Sequence, residues 1–159
     1  MSRASWSLLP AIAVYAITWC WVAVSAPDRV PMHWGPAGVD RWGSRTEFLT
    51  FSLVTAGLIG ALMIGLGIAA SRLPASIINT PHRDYWLSPE HRPAFDGLMR
   101  TMMLDIAALI LLLFAAINVI VGAGAAATNV LVIVFLLALG VVMVRPIARL
   151  YREPPRSSR

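Results

Sequence analysis

The sequence predicts an all-α integral membrane protein with four transmembrane helices, one polar outer loop and one polar inner loop. Only 13% of its 159 residues are charged, against about 25% in soluble domains. The mean hydropathy is +0.71, and long apolar runs recur along the chain. Since about 20 apolar residues cross a bilayer, we expect a single four-helix membrane domain over residues 1–159. Its spans should cover about 7–26, 48–70, 104–124 and 129–149.

The first apolar run, Leu8 to Ala26, contains no charged residue. A secretory signal peptide is the alternative interpretation, because Val24-Ser25-Ala26 resembles a small-residue cleavage site. The run is longer than a typical signal core of about 7–15 residues, and Pro27 follows the supposed cut. We therefore expect a retained transmembrane helix.

The second run, 48–70, carries small residues at every fourth position. They are Gly57, Ala61, Gly65 and Ala69. Small side chains on one helix face let another helix approach closely. We interpret this stripe as a packing face between helices of the same chain, and self-association of two chains is the alternative.

The polar segment 71–98 contains four prolines, which exclude one continuous helix. Ser88 followed by Pro89 is typical of a helix start, with Ser88 as N-cap. Asp96 and Arg100 have the i, i+4 spacing of an ion pair. At the other end of the chain, residues 151–159 form a basic tail that we expect to be disordered.

Two polar residues mark the third span. Asp105 lies where the span begins, so it is either a buried functional acid or a residue of the inner interface. Asn118 lies deeper and should form a hydrogen bond to another helix. The two are thirteen positions apart, roughly 220° around a helix, and we do not expect them to line one pathway.

The arginines predict the orientation. All thirteen basic residues are arginine; ten lie near the two termini and in the 71–100 region, and three lie between the first two spans. By the positive-inside rule, both termini are cytoplasmic and the segment between Pro27 and Arg45 faces outward. The net charge of +5 is distributed over separate loops without forming one stripe, so we expect no nucleic-acid partner.

Two stretches resemble one family of bacterial membrane proteins. Residues 27–34 read PDRVPMHW and residues 38–42 read GVDRW, similar to the family signature P-D-x-[IV]-P-x-H-[FW] followed after a short gap by G-x-x-D. Residues 79–92, NTPHRDYWLSPEHR, resemble a second motif found in part of the family. The same domain begins the SdpI-type proteins, which protect producer cells from a secreted killing peptide and signal its presence to a cytoplasmic repressor. The resemblance implies a protein of the bacterial inner membrane with an immunity or signalling role.

The outer loop is the first candidate site. Residues 30–34 should be extended because Pro31 disfavours helix before it, and Gly35-Pro36 and Ala37-Gly38 are typical of turns. One interpretation makes the loop a recognition surface or a cation site, and the other has its acids satisfying turn amides while His33 binds a neighbour. The candidate binding residues are Asp28, Pro31, His33, Trp34, Gly38, Asp40, Arg41 and Trp42.

The inner loop is the second candidate. Imidazoles and carboxylates suit zinc or manganese, but His82 and His91 are nine residues apart and lack the spacing of a zinc protease. We therefore favour a packed, hydrogen-bonded cap without a metal. The residues of this motif are Asn79, Pro81, His82, Asp84, Tyr85, Trp86, Glu90 and His91.

Three hypotheses follow for function. The leading one is a small non-enzymatic membrane protein, without a cofactor, that binds a peptide, lipid or protein partner through the outer loop. The second is a membrane scaffold or subunit without a ligand, associating as a homo-oligomer through the Gly57–Ala69 stripe. The third is a metal-dependent membrane enzyme using His82, Asp84, Glu90 and His91.

Overall fold

The computed structural model describes residues 5–124 and 129–152, and it confirms the predicted class. Within this part of the chain, four helices are long and apolar enough to cross a membrane. They are α1 (Ser5–Ser25), α2 (Arg45–Ala70), α4 (Arg92–Gly122) and α5 (Asn129–Tyr151). Strands β1 (Arg29–Gly35) and β2 (Gly38–Ser44) connect α1 to α2, and a 3-10 turn (Ala75–Ile77) and the short helix α3 (Arg83–Trp86) connect α2 to α4.

The helix bounds differ most from the prediction at α4, which begins at Arg92 with Pro93 in its first turn. The predicted start at Ser88 and Pro89 is wrong. The Ser88 hydroxyl donates to the Tyr85 carbonyl at 2.8 Å and lies 3.0 Å from the His91 ring, so it stabilises a turn before the helix. The polar residues from Arg92 to the beginning of the apolar run are therefore already part of α4.

The C-terminal bounds differ as well. Tyr151 ends α5 as a helical residue, although we expected the tail to begin there. The predicted disorder of 153–159 falls outside the described residues.

Helix α4 is the centre of the bundle, with α1, α2 and α5 packed around it. Its buried residues recur at the three- and four-residue spacing of one helix face, for example at Ala108, Leu111 and Ala115. These three form a core cluster with Ala11 and Tyr15 of α1 and with Ala56 of α2. Because four of the six residues are alanine, the helix backbones can approach closely.

A buried polar network joins three helices at the level of Asn118. The amide of Asn118, which is wholly buried, donates to the Thr18 hydroxyl of α1 at 3.3 Å. Its oxygen accepts from Ser52 of α2 at 3.4 Å, and Ser52 lies 3.2 Å from the Tyr15 hydroxyl. The predicted hydrogen bond from Asn118 to another helix is confirmed, and it involves two helices.

The small-residue stripe of α2 does not pack inside the chain. All four of its residues are exposed, and a Cβ at Gly57 or Gly65 would meet no described atom within 4 Å. The close approach uses another glycine: a Cβ on Gly67 would lie 3.3 Å from Met103 and 3.6 Å from the Arg100 backbone. The interpretation as an internal packing face is therefore wrong, while self-association stays a prediction.

Candidate functional site

The segment between α1 and α2 folds as an antiparallel hairpin. Residues 30–34 are extended as Pro31 predicts, and the turn lies at Pro36 and Ala37 as predicted. Pro36 fixes φ at the first corner position, and Gly38 adopts φ +115°, a value that side chains disfavour. The sequence analysis predicted the extended stretch and the turn, but not the pairing with residues 38–44.

The pairing brings His33 and Asp40 together. The register is the same at both ends of the hairpin, where Arg29 pairs with Ser44 and Gly35 with Gly38. The register shift before His33 is therefore reversed by the shift after it. The imidazole Nδ1 lies 2.6 Å from the Asp40 carboxylate, and both side chains are more than half exposed. His33 thus binds a neighbour, as one of the two interpretations expected, and the neighbour is Asp40 itself.

Alternate side chains of β1 face the bundle, as the two-residue period of a strand requires. Val30 is wholly buried in a cluster with Val22 of α1, Ala26 directly after α1, Phe48 of α2 and Val121 of α4. Met32 and Trp34 pack against the same cluster. The hairpin therefore lies across the ends of three helices instead of extending freely from them.

Arg45 closes the base of the hairpin. Its guanidinium donates to the Ala26 carbonyl at 2.8 Å and to the Asp28 carboxylate at 3.3 Å, and its backbone N–H donates to the Asp28 carbonyl at 2.9 Å. Asp28 therefore anchors this base with a largely exposed side chain. The guanidinium satisfies a carbonyl that the end of α1 leaves without an intrahelical partner.

Glu47 is a residue that the sequence analysis missed. The Ser44 hydroxyl caps α2 by accepting from the Glu47 N–H at 3.0 Å, and the Glu47 carboxylate lies 2.6 Å from the Arg41 guanidinium. The signal was present, because a Ser followed three residues later by Glu before an apolar run is typical of a helix N-terminus. Arg41 and Glu47 form a second exposed ion pair beside that of His33 and Asp40.

A groove of about 570 Å³ lies between the hairpin and the last two spans. Residues 32–36 of the hairpin form one wall, and Leu113, Ile117 and Ile120 of α4 with Leu131 and Val132 of α5 form the other. This volume lies within the range of about 300–1,000 Å³ that small-molecule sites occupy. The groove therefore brings His33 and Trp34 next to an apolar surface.

Trp34 carries an unusual nitrogen. Its indole N–H is buried, and among the described residues it is the one buried side-chain polar atom without a hydrogen-bond partner. Leaving a buried donor unpaired costs about 1–3 kcal/mol, and tryptophan usually finds an acceptor when it is buried. An acceptor on a ligand in the adjoining groove would remove this cost.

The other outer-loop candidates occupy three different places. Pro31 is buried, Gly38 ends the turn, and Trp42 is about half exposed with its side chain on the surface of β2. The structure thus brings His33 into contact with Asp40, and it places His33 and Trp34 on the wall of the groove. Arg41 and Trp42 lie next to this site on the exposed surface of the hairpin.

The second polar segment folds as a packed cap. Trp86 is buried with Phe95 and Leu150, and its indole N–H donates to the Leu150 carbonyl at 3.1 Å. The rings of Tyr85 and His91 stack with centroids 3.9 Å apart. This arrangement agrees with the favoured interpretation of the motif as a hydrogen-bonded cap.

The metal hypothesis gains no support from this geometry. His82, Asp84 and Glu90 are exposed, and His91 is engaged by Ser88 and Tyr85. Within residues 5–124 and 129–152, no three His, Cys, Asp or Glu residues are grouped so that they could hold a metal ion. Of the remaining members of the motif, Asn79 is exposed and Pro81 is half-buried.

The acid expected to pair with Arg100 has another partner. Asp96 accepts from the Arg92 guanidinium at 2.8 Å, one helical turn earlier, and both side chains are largely buried. Arg92 also donates to the Leu73 carbonyl at 2.8 Å beyond the end of α2. Asp105 accepts from the Ser7 hydroxyl at 2.8 Å, so it joins α4 to the beginning of α1.

Fold and site together define a multi-pass membrane protein with a folded hairpin at one end of the bundle. Residues 6–56 match the family described as a domain of unknown function (DUF1648). The match covers α1, the hairpin and the first half of α2. No curated protein and no solved structure matches the chain.

Proposed function

We propose that this chain is a non-enzymatic protein of the bacterial inner membrane that recognises a partner through the hairpin, in an immunity or signalling role of the SdpI type. The observation that carries the proposal is the groove beside the hairpin, where an unpartnered indole N–H adjoins an apolar wall. Sites of this composition, mostly apolar with few polar groups, are typical of ligand binding. The sequence resemblance supports the immunity or signalling role.

The hairpin surface supports the same proposal. His33 with Asp40 and Arg41 with Glu47 are exposed ion pairs, which contribute little to stability. They present charges of both signs beside Trp42, an exposed aromatic residue of the kind that anchors interfaces. A partner can therefore bind here without disturbing the buried core of the bundle.

The proposal includes an orientation with both termini in the cytoplasm and the hairpin outside. Ten of the thirteen arginines support it, because the positive-inside rule assigns arginine-rich segments to the cytoplasm. A reporter enzyme fused after Arg159 should be active only when the reporter is of the cytoplasmic type. Activity of a periplasmic reporter at that position would contradict the orientation.

The experiment that tests the role is protection of a sensitive bacterial strain. Cells producing this chain should survive the killing peptide that SdpI-type proteins counter, and His33→Ala or Asp40→Ala should lose protection at unchanged membrane yield. The matched control is His82→Ala, an exposed histidine of the second polar segment. No protection by the unmodified chain would contradict the immunity role, and degradation of the hairpin variants would make the hairpin a structural lid.

A homo-oligomeric scaffold is the second candidate, favoured by the exposure of Gly57, Ala61, Gly65 and Ala69 on one helix. Small residues of this kind line the contact between associating membrane helices. Cross-linking in native membranes should then give a dimer in the unmodified chain and less dimer in Gly57→Leu. An unchanged monomer in both would contradict the scaffold.

A further inference from the structure

The groove beside the hairpin does not end at the hairpin. A second apolar cavity of about 120 Å³ lies between α4 and α5, and it shares Leu113 and Leu131 with the groove. Its remaining lining residues are all apolar and include Leu109 of α4 and Ala138 of α5. The two cavities therefore lie next to each other along the seam of the two helices, and we refer to them together as the slot.

The slot is long and narrow, with different chemistry at its two ends. Along α4 it runs from Ile120 to Leu109, about 16 Å at the rise of 1.5 Å per residue. At the hairpin end, its wall includes His33 and Trp34. At the other end, it is lined only by aliphatic side chains and Phe135. A molecule that fills it must have one polar end and one extended apolar end.

We propose that this slot binds one acyl chain of a membrane phospholipid, with the ester carbonyl accepting a hydrogen bond from the indole N–H of Trp34. The inference rests on the proposed function and names a lipid as the ligand of the groove, while the exposed ion pairs of the hairpin stay available to a peptide or protein partner. The carbonyl supplies the acceptor that this buried N–H lacks among the described residues. Because the nitrogen is covered in the structure, the proposed hydrogen bond requires the Trp34 ring to turn toward the slot.

A peptide fits the slot less well than an acyl chain. Every backbone N–H and C=O of an inserted peptide needs a partner where water is absent, and the lower part of the slot is lined by apolar residues alone. A helical peptide would satisfy its own backbone, but a helix with side chains is about 10–12 Å wide. An acyl chain has no polar group below its ester and needs no such partner.

The test uses a phospholipid with a photoreactive diazirine on its acyl chain. The full chain is reconstituted in vesicles of phosphatidylethanolamine and phosphatidylglycerol that contain this probe, irradiated, and analysed by peptide mass spectrometry. Labelling should concentrate on the parts of α4 and α5 that line the slot. Labelling that is equal on the slot and on exposed Leu58 of α2 would overturn the inference.

Variants make the test quantitative. Leu113→Trp places a large ring where the two cavities meet, and it should lower slot labelling at least fivefold, whereas the control Leu58→Trp should leave labelling unchanged. If Leu113→Trp inserts poorly, Val132→Trp at an exposed position of the same groove replaces it. Trp34→Phe removes the donor alone, and loss of one net hydrogen bond should weaken retention of the probe about three- to tenfold. Undiminished labelling in Trp34→Phe would overturn the role of the N–H.

Two outcomes separate the inference from the proposed function. If labelling is uniform while protection depends on His33 and Asp40, the acyl-chain site is contradicted and recognition by the hairpin is supported. Slot-specific labelling without any protection confirms the acyl-chain site and removes the immunity role.

Discussion

The two polar segments of this chain have similar compositions, but their polar side chains make different contacts. In the hairpin, charged side chains pair with one another at the surface: His33 pairs with Asp40, and Arg41 pairs with Glu47 of α2. In the second segment, Arg92 and Asp96 are largely buried, Arg92 binds both Asp96 and a backbone carbonyl, and Trp86 joins the core. The other charged residues of this segment, Arg83, Asp84 and Glu90 among them, are exposed. Polar density alone therefore does not identify a functional loop. The decisive difference is whether the polar groups satisfy the chain or remain available to a ligand.

The tryptophans show the contrast most directly. Trp86 and Trp34 both carry a buried indole N–H, one bonded to the Leu150 carbonyl and the other without a partner among the described residues. The first joins two ends of the fold, α3 and α5. The second adjoins a groove. A stability assay and a binding assay should consequently rank these residues in opposite order.

The largest expected effect is at the second segment. Trp86→Ala removes a buried ring and its hydrogen bond, and it should lower the free energy of unfolding by about 3–5 kcal/mol. Trp42→Ala, at a half-exposed position of the hairpin, should change it by less than about 0.5 kcal/mol. Unfolding in mixed detergent micelles measures both. Equal losses would show that the hairpin belongs to the core as fully as the cap does.

The next effect concerns the glycines of α2. Gly67→Leu forces a side chain against Met103 and the Arg100 backbone, which should cost about 1–3 kcal/mol. Gly57→Leu meets open space and should leave the stability of the monomer unchanged. The melting temperatures of the two purified variants decide the comparison. A loss at Gly57 as large as that at Gly67 would mean that a second chain covers the stripe.

Arg92 and Arg45 give a finer comparison, because each binds a backbone carbonyl near a helix end and an acid. Arg92→Gln should lower stability by about 1.5–3 kcal/mol, since Arg92 and its acid Asp96 are both largely buried. Arg45→Gln should lower it by about 1 kcal/mol, since its acid Asp28 is almost wholly exposed. Unfolding titrations of both variants measure the difference. A larger loss of stability in Arg45→Gln than in Arg92→Gln would show that the contacts of Arg45 at the base of the hairpin contribute more to stability.

The smallest stability effect should be at the hairpin surface. A double-mutant cycle of His33→Ala and Asp40→Ala should give a coupling free energy of about 0–1 kcal/mol, typical of exposed pairs. The same cycle read by survival against the killing peptide should show strong loss in each single variant. A coupling above this range would assign the pair a structural role.

The sequence was sufficient for the four spans and for the extended, turn-containing character of the first polar segment. Apolar runs and prolines are local signals, and both act within a few residues. Strand pairing, the proximity of His33 to Asp40 and the groove depend on contacts between distant residues, which no local pattern encodes. The helix start at Ser88 was wrong although its hydroxyl accepts from the His91 N–H at 3.4 Å, because residues 89–91 form a turn and α4 begins only at Arg92.

The prediction that the small-residue stripe packs against helices of the same chain was wrong for a geometric reason. A helix turns 100° per residue, so residues four apart advance by about 40° beyond a full turn. Counted from the buried Ala56, the stripe from Gly57 to Ala69 therefore lies about 100–220° around α2, on the side away from the buried face. Ser52, Ala56 and Gly67 are the residues that α2 buries in its membrane-spanning part. Asn118 was predicted correctly because a deeply placed amide must find partners wherever the neighbouring helices lie.

Because α4 lies at the centre of the bundle, the part of the chain that matches the family is shorter than the part that must pack together to fold. The match to the family ends at residue 56, yet Tyr15 and Ala56 are buried by residues of α4 that begin about fifty positions beyond the end of the match. Ribosomes add about 5–20 residues per second, so α1, the hairpin and α2 wait in the membrane for several seconds before α4 arrives. During that period residues 6–56, about a third of the chain, lack the buried contacts that α4 supplies, and a fragment truncated after residue 56 would lack them permanently.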